Sequence, residues 1–323
     1  MIPGKCIVCG DATRAWLDMP IDPKTFEPTT YGKVHRCDRC GHGSVQPLPT
    51  PAEVPHFYAL DAYYTQGKSH MPSEREGILD KILTKLAWSF DEGVDLDETL
   101  RKLKLADKSM VCEIGCGHAK NLVFLKSRGH IVVGVDPDPK AVAQAAEIDI
   151  EVLLGTGEVL PERIRAGQFD LVIMSHSLEH CIDPMLAAKN VASILRPGGR
   201  FVCEVPNSDC KHFVWNNICS EMFDAPRHLH FYNTESLRRS IEGTGLKIES
   251  VAYTGFTRHH GLGWRKVEQK IRTKLAIVSN ACPPAHSFLR SLLLWSATCM
   301  AAGSAKYDSV RIVAEKTGKV SAK

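Results

Sequence analysis

Apolar residues in this chain follow two patterns. From Met110 onward, short continuous apolar runs bounded by glycine, proline or an acid alternate with stretches where apolar residues recur every three or four positions. Continuous short runs mark strands buried on both faces, and the three-to-four spacing marks helices with one packed face. The pattern predicts strands over 110–114, 131–135, 150–154, 169–174 and 199–205, and helices over 119–128, 138–147, 184–195 and, briefly, 161–165. A helix over 234–243 and a strand over 247–253 follow, and Asp308-Ser-Val-Arg-Ile-Val-Ala-Glu315 reads as a last, antiparallel strand closing the sheet. Upstream, Ile78 to Phe90 and Leu96 to Leu105 carry helical spacing. This alternation predicts an α/β fold, a doubly wound, mostly parallel sheet wrapped by helices.

Ligands on such sheets bind at the carboxyl ends of the strands. Here those ends are Glu113 to Gly117, Asp136, Gly155 to Glu158, Ser175 to His180, and Pro206 to Asn207. In Met110-Val-Cys-Glu-Ile-Gly-Cys-Gly-His-Ala119 an apolar strand runs into two glycines, so the backbone can turn tightly beside a ligand facing the next helix. Asp136 closes the second strand, where an acid meets a ribose. A dinucleotide fingerprint would have a third glycine where this chain has Lys120, which disfavours a pyrophosphate and favours a nucleoside without phosphates on a Rossmann-like sheet.

The series Glu113-x-Gly115-x-Gly117, Asp136, Gly157-Glu158, Phe169-Asp-Leu-Val-Ile-Met-Ser-His-Ser-Leu-Glu-His180 and Leu195-Arg-Pro-Gly-Gly-Arg-Phe201 resembles, in order and spacing, the motifs of class I S-adenosylmethionine-dependent methyltransferases. The likeness covers residues 106–255. It implies S-adenosylmethionine as cofactor, with Asp136 on the ribose hydroxyls and the Gly115-Cys116-Gly117 turn on the methionine part. Glu158 or its neighbours would face the adenine, and Glu113 and Ser175 complete the implied cofactor set.

At 323 residues the chain exceeds an ordinary domain, so one core with appendages is expected. Pro3, Gly4 and Lys5 stand where a secretory leader would be apolar, and no uncharged apolar run reaches about 18 residues, so a cytoplasmic protein is expected. Twelve cysteines in that setting point to thiols and metal rather than disulfides. Cys6-Ile-Val-Cys9-Gly10 and Cys37-Asp-Arg-Cys40-Gly41 are paired knuckles, suited to one closed, structural zinc held by Cys6, Cys9, Cys37 and Cys40. The expected zinc ribbon, residues 1–50, has six Lys and Arg against five Asp and Glu, no electrostatic footprint for nucleic acid.

A stiff Gln46-Pro-Leu-Pro-Thr-Pro51 and the aromatic segment Phe57 to Tyr64 open a linker and helical lid over 51–105. Ribbon, proline linker and Tyr63-Tyr64 together resemble zinc-ribbon methyltransferases of glycan and antibiotic-sugar pathways. The likeness implies Tyr64 over the cofactor pocket and a small-molecule, sugar or lipid-linked glycan acceptor, methylated on oxygen or carbon. Histidine is the natural group to take an acceptor proton near neutral pH. His180 follows the fourth strand, and Phe223-Asp-Ala-Pro-Arg-His-Leu-His-Phe-Tyr232 resembles the His-x-His segment of sugar C-methyltransferases with the same ribbon. Leu229 replaces that family's glutamate, a departure that bears on whether carbon is the atom methylated. His230 is the expected base, with His180, His228 and Tyr232 as the other catalytic candidates.

Charge is uneven. Residues 256–323 hold twelve Lys and Arg against three Asp and Glu, net +9, leaving 28 against 34, net −6, for the first 255. Residues 256–305 form a helical insertion ahead of the last strand and tail at 306–323: Arg258 to Lys274 is basic, and Ser291 to Ala305 is uncharged and apolar. Basic next to apolar also describes a membrane-surface or lipid-phosphate contact through 258–305. Two other functions compete: a noncatalytic binding module on this fold, and a nucleic-acid methyltransferase, against which stands the absence of an Asn-Pro-Pro-Tyr type tetrapeptide after the fourth strand.

Overall fold

The computed structural model describes residues 4–58, 85, 89, 91–255, 262–278 and 288–318. In chain order its elements are β1 (Thr13–Asp18), β2 (Lys33–Cys37), β3 (Gly43–Val45), α1 (Val54–Tyr58), α2 (Leu96–Lys102), β4 (Met110–Ile114), α3 (Lys120–Ser127), β5 (Ile131–Asp136), α4 (Pro139–Glu147), β6 (Val152–Leu154), α5 (Glu162–Arg165), β7 (Phe169–Ser175), α6 (Pro184–Ile194), β8 (Leu195–Pro206), α7 (Lys211–Asn216), β9 (His230–Phe231), α8 (Thr234–Glu242), β10 (Lys247–Thr254), α9 (Leu262–Val278), α10 (Phe288–Cys299), α11 (Gly303–Lys306) and β11 (Ser309–Glu315). Tyr64, the helix expected over 78–90 and the chain end beyond Gly318 fall largely or wholly outside the described residues.

The main sheet has the order β10-β11-β8-β7-β4-β5-β6. Strands β6 to β8 by way of β5, β4 and β7 are parallel, and β11 is antiparallel to both its neighbours. The last strand therefore enters between β8 and β10 and leaves β10 at the edge. Both faces are covered, which explains the unbroken apolar runs. Cys112, Ile114, Val172, Met174, Phe201 and Cys203 pack toward α6 and α8, and the alternate positions Val111, Leu171, Ile173 and Val202 pack with Leu100 and Leu125. Helix starts carry side-chain caps: Asp95 accepts from Glu98, Asp138 from Lys140, Asp183 from Leu186, and Asn233 forms a reciprocal box with Ser236. Strand β8 runs longer than expected because the Leu195-Arg-Pro-Gly-Gly turn joins the ladder through a bulge opposite Phe169.

A second sheet, β1-β2-β3-β9, joins the N-terminal segment to the core, because β9 comes from the His-x-His segment. Gly43 and Ser44 face Phe231 and His230, and the Val45 amide donates to the Leu229 carbonyl at 2.9 Å. Trp16, Phe213, Phe223 and Phe231 stack beneath this sheet with Met19, Ile21 and Val34. Helix α9 closes the same core with Ile271 and Leu275. It also turns charge inward: Glu268 meets His212 at 2.8 Å, and Arg272 donates to Asn216 at 2.8 Å. The basic stretch is thus split between a buried and an outer face, whereas α10 leaves Leu289, Leu292 and Leu293 exposed. Among the described residues, no helix is long and apolar enough to cross a membrane.

Arg227 ties the N-terminal segment to the turn that leads into β9. It is 1% exposed and donates to both oxygens of Asp22 (2.9 and 2.5 Å), to Asp224 (2.9 Å) and to the Phe57 carbonyl (3.2 Å). Replacing Arg227 with alanine strands two buried carboxylates and should cost about 3–5 kcal/mol, read as a lower urea midpoint. A midpoint matching the parent's would show that the clamp is energetically idle.

Candidate active site

The glycine turn after β4 faces open space on one side and protein on the other. Gly115 has φ +75° and lies so close to Ser177 that a Cβ on it would stand 2.4 Å from the Ser177 Cβ, while a Cβ on Gly117 (φ +48°) would meet nothing within 4 Å. Asp136, 4% exposed, holds this turn: one oxygen accepts from the Gly117 amide at 2.8 Å and the other from Asp138 at 2.9 Å. Each oxygen keeps a lone pair for a ligand. Glu113, 2% exposed, takes Asn121 on one oxygen at 2.5 Å, while its Oε2 is buried with no hydrogen-bond partner among the described residues. An orphaned carboxylate oxygen, a carboxylate with lone pairs to spare and an open glycine turn fit a ligand bearing a cation and a diol, as S-adenosylmethionine does.

Burial raises the Glu113 carboxyl from its ordinary 4.5 to about 8; the Asn121 bond opposes this and Asp136 adds to it. The folded chain then keeps a proton that the unfolded chain releases, so this group's contribution to stability falls as pH rises from 4.5 and levels off at about 8. Glu113→Gln retains a carbonyl for Asn121 and removes that slope. Its thermal midpoint should lie near the parent's at about pH 5 and above it at about pH 8. Parallel pH profiles for the two proteins would refute the assignment.

Past β7 the chain makes a short 3-10 turn, Leu178–His180, next to Ser177. Here Glu179, His180 and His228 converge, with one ligand atom of each within 4.8 Å of the others. The His180 Nδ1 donates to the Arg227 carbonyl at 2.9 Å, with Tyr58 Oη at 3.0 Å, and the His228 Nδ1 donates to the Met222 carbonyl at 2.9 Å. A carbonyl accepts only from N–H, so in each ring Nδ1 carries a proton and Nε2 is the nitrogen turned toward the cluster. Burial, offset in part by Glu179, lowers His180 to about 4 and keeps the ring neutral. Behind the cluster His176 lies 3.2 Å from Glu204, which Arg311, its cross-strand partner on β11, also holds at 2.6 Å. Burial opposes both shifts, yet Glu179, 3.5 Å away, and Glu204 together raise His176 to about 9, and His176 and Arg311 lower Glu204 to about 2.

The knuckle cysteines also converge. Cys6 Sγ lies 3.6 Å from Cys40 Sγ, and Cys9 Sγ 3.5 Å from Cys37 Sγ. Four sulfurs at about 2.3 Å from a zinc would stand about 3.8 Å apart, so the four-cysteine set fits a closed tetrahedral site. The amides of Val8 and Cys9 face the Cys6 sulfur, Asp11 faces Cys9 and His42 faces Cys40. Gly41 (φ +73°) is also needed for packing, since a Cβ there would come within 2.2 Å of Asn233, the cap of α8.

A family model described as "Methyltransferase domain" matches residues 87–251, half of the chain. The chain belongs to this methyltransferase domain family. It is similar to a ubiquinone biosynthesis O-methyltransferase of Ruegeria pomeroyi, 29% identical over 64% of this chain and 85% of the relative. A ubiquinone biosynthesis O-methyltransferase of Coxiella burnetii is 27% identical over 46% of this chain and 67% of its own. A solved S-adenosylmethionine-dependent methyltransferase from Archaeoglobus fulgidus aligns with a TM-score of 0.46 and 17% identity over 68% of this chain and 93% of that one. By its family and its motif series, the protein is an S-adenosylmethionine-dependent methyltransferase of class I.

The methyltransferase brings Glu113, Gly115, Gly117, Asp136 and Ser175 to one end of its sheet, but the other expected site residues are disposed differently. Cys116 turns its side chain into the core with Leu122, Ala145 and Val152, leaving only its backbone for a ligand. One oxygen of Glu158 accepts from the Ile182 and Asp183 amides (2.7 and 3.3 Å) ahead of α6. His230, the expected base, is 2% exposed, bonded at 3.1 Å to His42 and stacked on that ring; Tyr232 is fully buried. Both lie in the joint between the two sheets, where their surroundings are those of packed residues, whereas His180 and His228 are only partly buried. Among residues the motif reading passed over, Glu179 was visible inside Leu-Glu-His180. His42 and Asp22 carried no sequence signal, because their partners lie 188 and 205 positions away.

Proposed function

We propose that the protein transfers the methyl group of S-adenosylmethionine to a hydroxyl oxygen of a small molecule, with Glu179, His180 and His228 easing loss of the hydroxyl proton. The observation that carries this reading is the cluster itself: two imidazoles anchored through Nδ1 on backbone carbonyls and a buried carboxylate, beside the Ser177–Gly115 contact that borders the cofactor turn. The relatives named as O-methyltransferases support oxygen as the atom modified. Asp136 would hold the ribose, Glu113 the cationic end of the methionine part, and the four knuckle cysteines a structural zinc. The bound cofactor supplies a sulfonium whose methyl is already electrophilic, so the chain's own work is to align the acceptor and stabilise its oxyanion.

Single replacement of His180 or His228 by alanine should lower the transfer rate by about a hundredfold while leaving cofactor affinity nearly unchanged, with His230→Ala as the packing control. Trial acceptors are hydroxylated aromatic compounds, assayed by formation of S-adenosylhomocysteine. Full activity in both variants would overturn the reading.

A further inference from the structure

Glu179 raises a physical problem that methyl transfer alone does not answer. It is 1% exposed, and neither of its carboxylate oxygens accepts a hydrogen bond among the described residues. Its nearest positive partner, His176, is 3.5 Å away and is shared with Glu204. A buried carboxylate costs several kcal/mol unless it is paired or bound to metal, and this one has only a share of one ion pair. On its other side is His180 Nε2, 3.9 Å distant, likewise buried without a hydrogen bond. Both histidines have Nδ1–H anchored on a backbone carbonyl (His180 on Arg227, His228 on Met222), the support that orients imidazoles as metal ligands.

We infer that Glu179, His180 and His228 form a second cation site, distinct from the four-cysteine centre, that takes a divalent transition metal ion. Ligand atoms about 2.1 Å from an ion stand about 3 to 4 Å apart, so the present separations, all within 4.8 Å, close on an ion with side-chain shifts of about 1 Å. Two imidazoles and one carboxylate suit Mn2+, Fe2+ or Zn2+ and leave coordination positions open. The inference rests on the proposed function and deepens it: an acceptor hydroxyl placed at an open position would have its pKa lowered by the ion and release its proton to solvent water, so neither histidine need act as the base.

The test is Mn2+ titration of the zinc-loaded, full-length protein, followed by electron paramagnetic resonance without acceptor or cofactor. One saturable Mn2+ per chain is expected, with affinity reduced about tenfold or more in Glu179→Gln and in His228→Ala, and partly restored in His228→Asp. Ribbon zinc, measured by elemental analysis, should stay constant throughout. Absence of saturable Mn2+ binding by the parent protein overturns the cation site, and so does undiminished binding in Glu179→Gln. If the parent protein binds no Mn2+ yet His180→Ala and His228→Ala still lose transfer rate, the proposed function stands and the cation alone is refuted.

Discussion

Asp136→Ala should weaken S-adenosylhomocysteine binding a hundredfold or more. Two charge-assisted hydrogen bonds to ribose hydroxyls contribute about 1.5–3 kcal/mol each, and a loss of about 3 to 6 kcal/mol is at least two orders of magnitude in affinity. The same carboxylate also braces the turn that approaches the ligand, through the Gly117 and Asp138 amides, so alanine removes both a contact and the preorganisation behind it. Asp136→Asn keeps an acceptor for one amide but gives up the charge, and should fall between parent and alanine. Calorimetric titration decides, and unchanged affinity in Asp136→Ala would reject the ribose assignment.

The convergence of Gly115, Gly117 and Asp136 was legible because these residues follow local patterns in the sequence. Gly115, Gly117 and Asp136 sit at the ends of adjacent parallel strands whose apolar runs announce them, and the register of β4 on β5 brings those ends together. Period and caps located most helices and strands of the main sheet within a few residues. The place of β11 between β8 and β10 was not legible, since a strand's neighbours depend on which apolar faces remain to be covered after the rest has packed. Arg311 shows what that choice secures: lying opposite Glu204, it also donates to the Val94 and Asp95 carbonyls and to Thr99, so the last strand pins the start of α2.

The different surroundings of His228 and His230 were not legible, for a geometric reason. In an extended strand, residues two apart share a face, and His228 and His230 invite that reading. The chain before β9 instead turns through Asp224 to Arg227, so His228 faces His180 while His230 faces His42. The turn follows from the buried Arg227 and its two aspartates, one of them in the ribbon, and no local pattern reports a partner that distant. The same long-range joint means the N-terminal sheet is not a separate module hung on the core, because its fourth strand belongs to the His-x-His segment.

Removing the ribbon metal should therefore silence catalysis from a distance. Structural zinc in small Cys-rich sites contributes about 10–16 kcal/mol of apparent binding energy at neutral pH, more than most domains' whole stability, so a Cys37→Ser, Cys40→Ser protein should lose its ribbon metal and the order of β1 to β3. The main sheet has its own two-sided core and should keep its far-ultraviolet circular dichroism and its affinity for S-adenosylhomocysteine. Losing β3 would strip β9 of its partner, His230 of His42 and Arg227 of Asp22, and the carbonyl of Arg227 is what orients His180. Transfer should fall about a hundredfold or more, the scale set by misplacing catalytic groups by about 1 Å. The serine variant is preferable to chelation because a chelator would also draw off any ion held by Glu179, His180 and His228. A protein that lacks ribbon metal, binds cofactor and still transfers methyl at the parent rate would show that the ribbon and the His-x-His segment touch without being coupled.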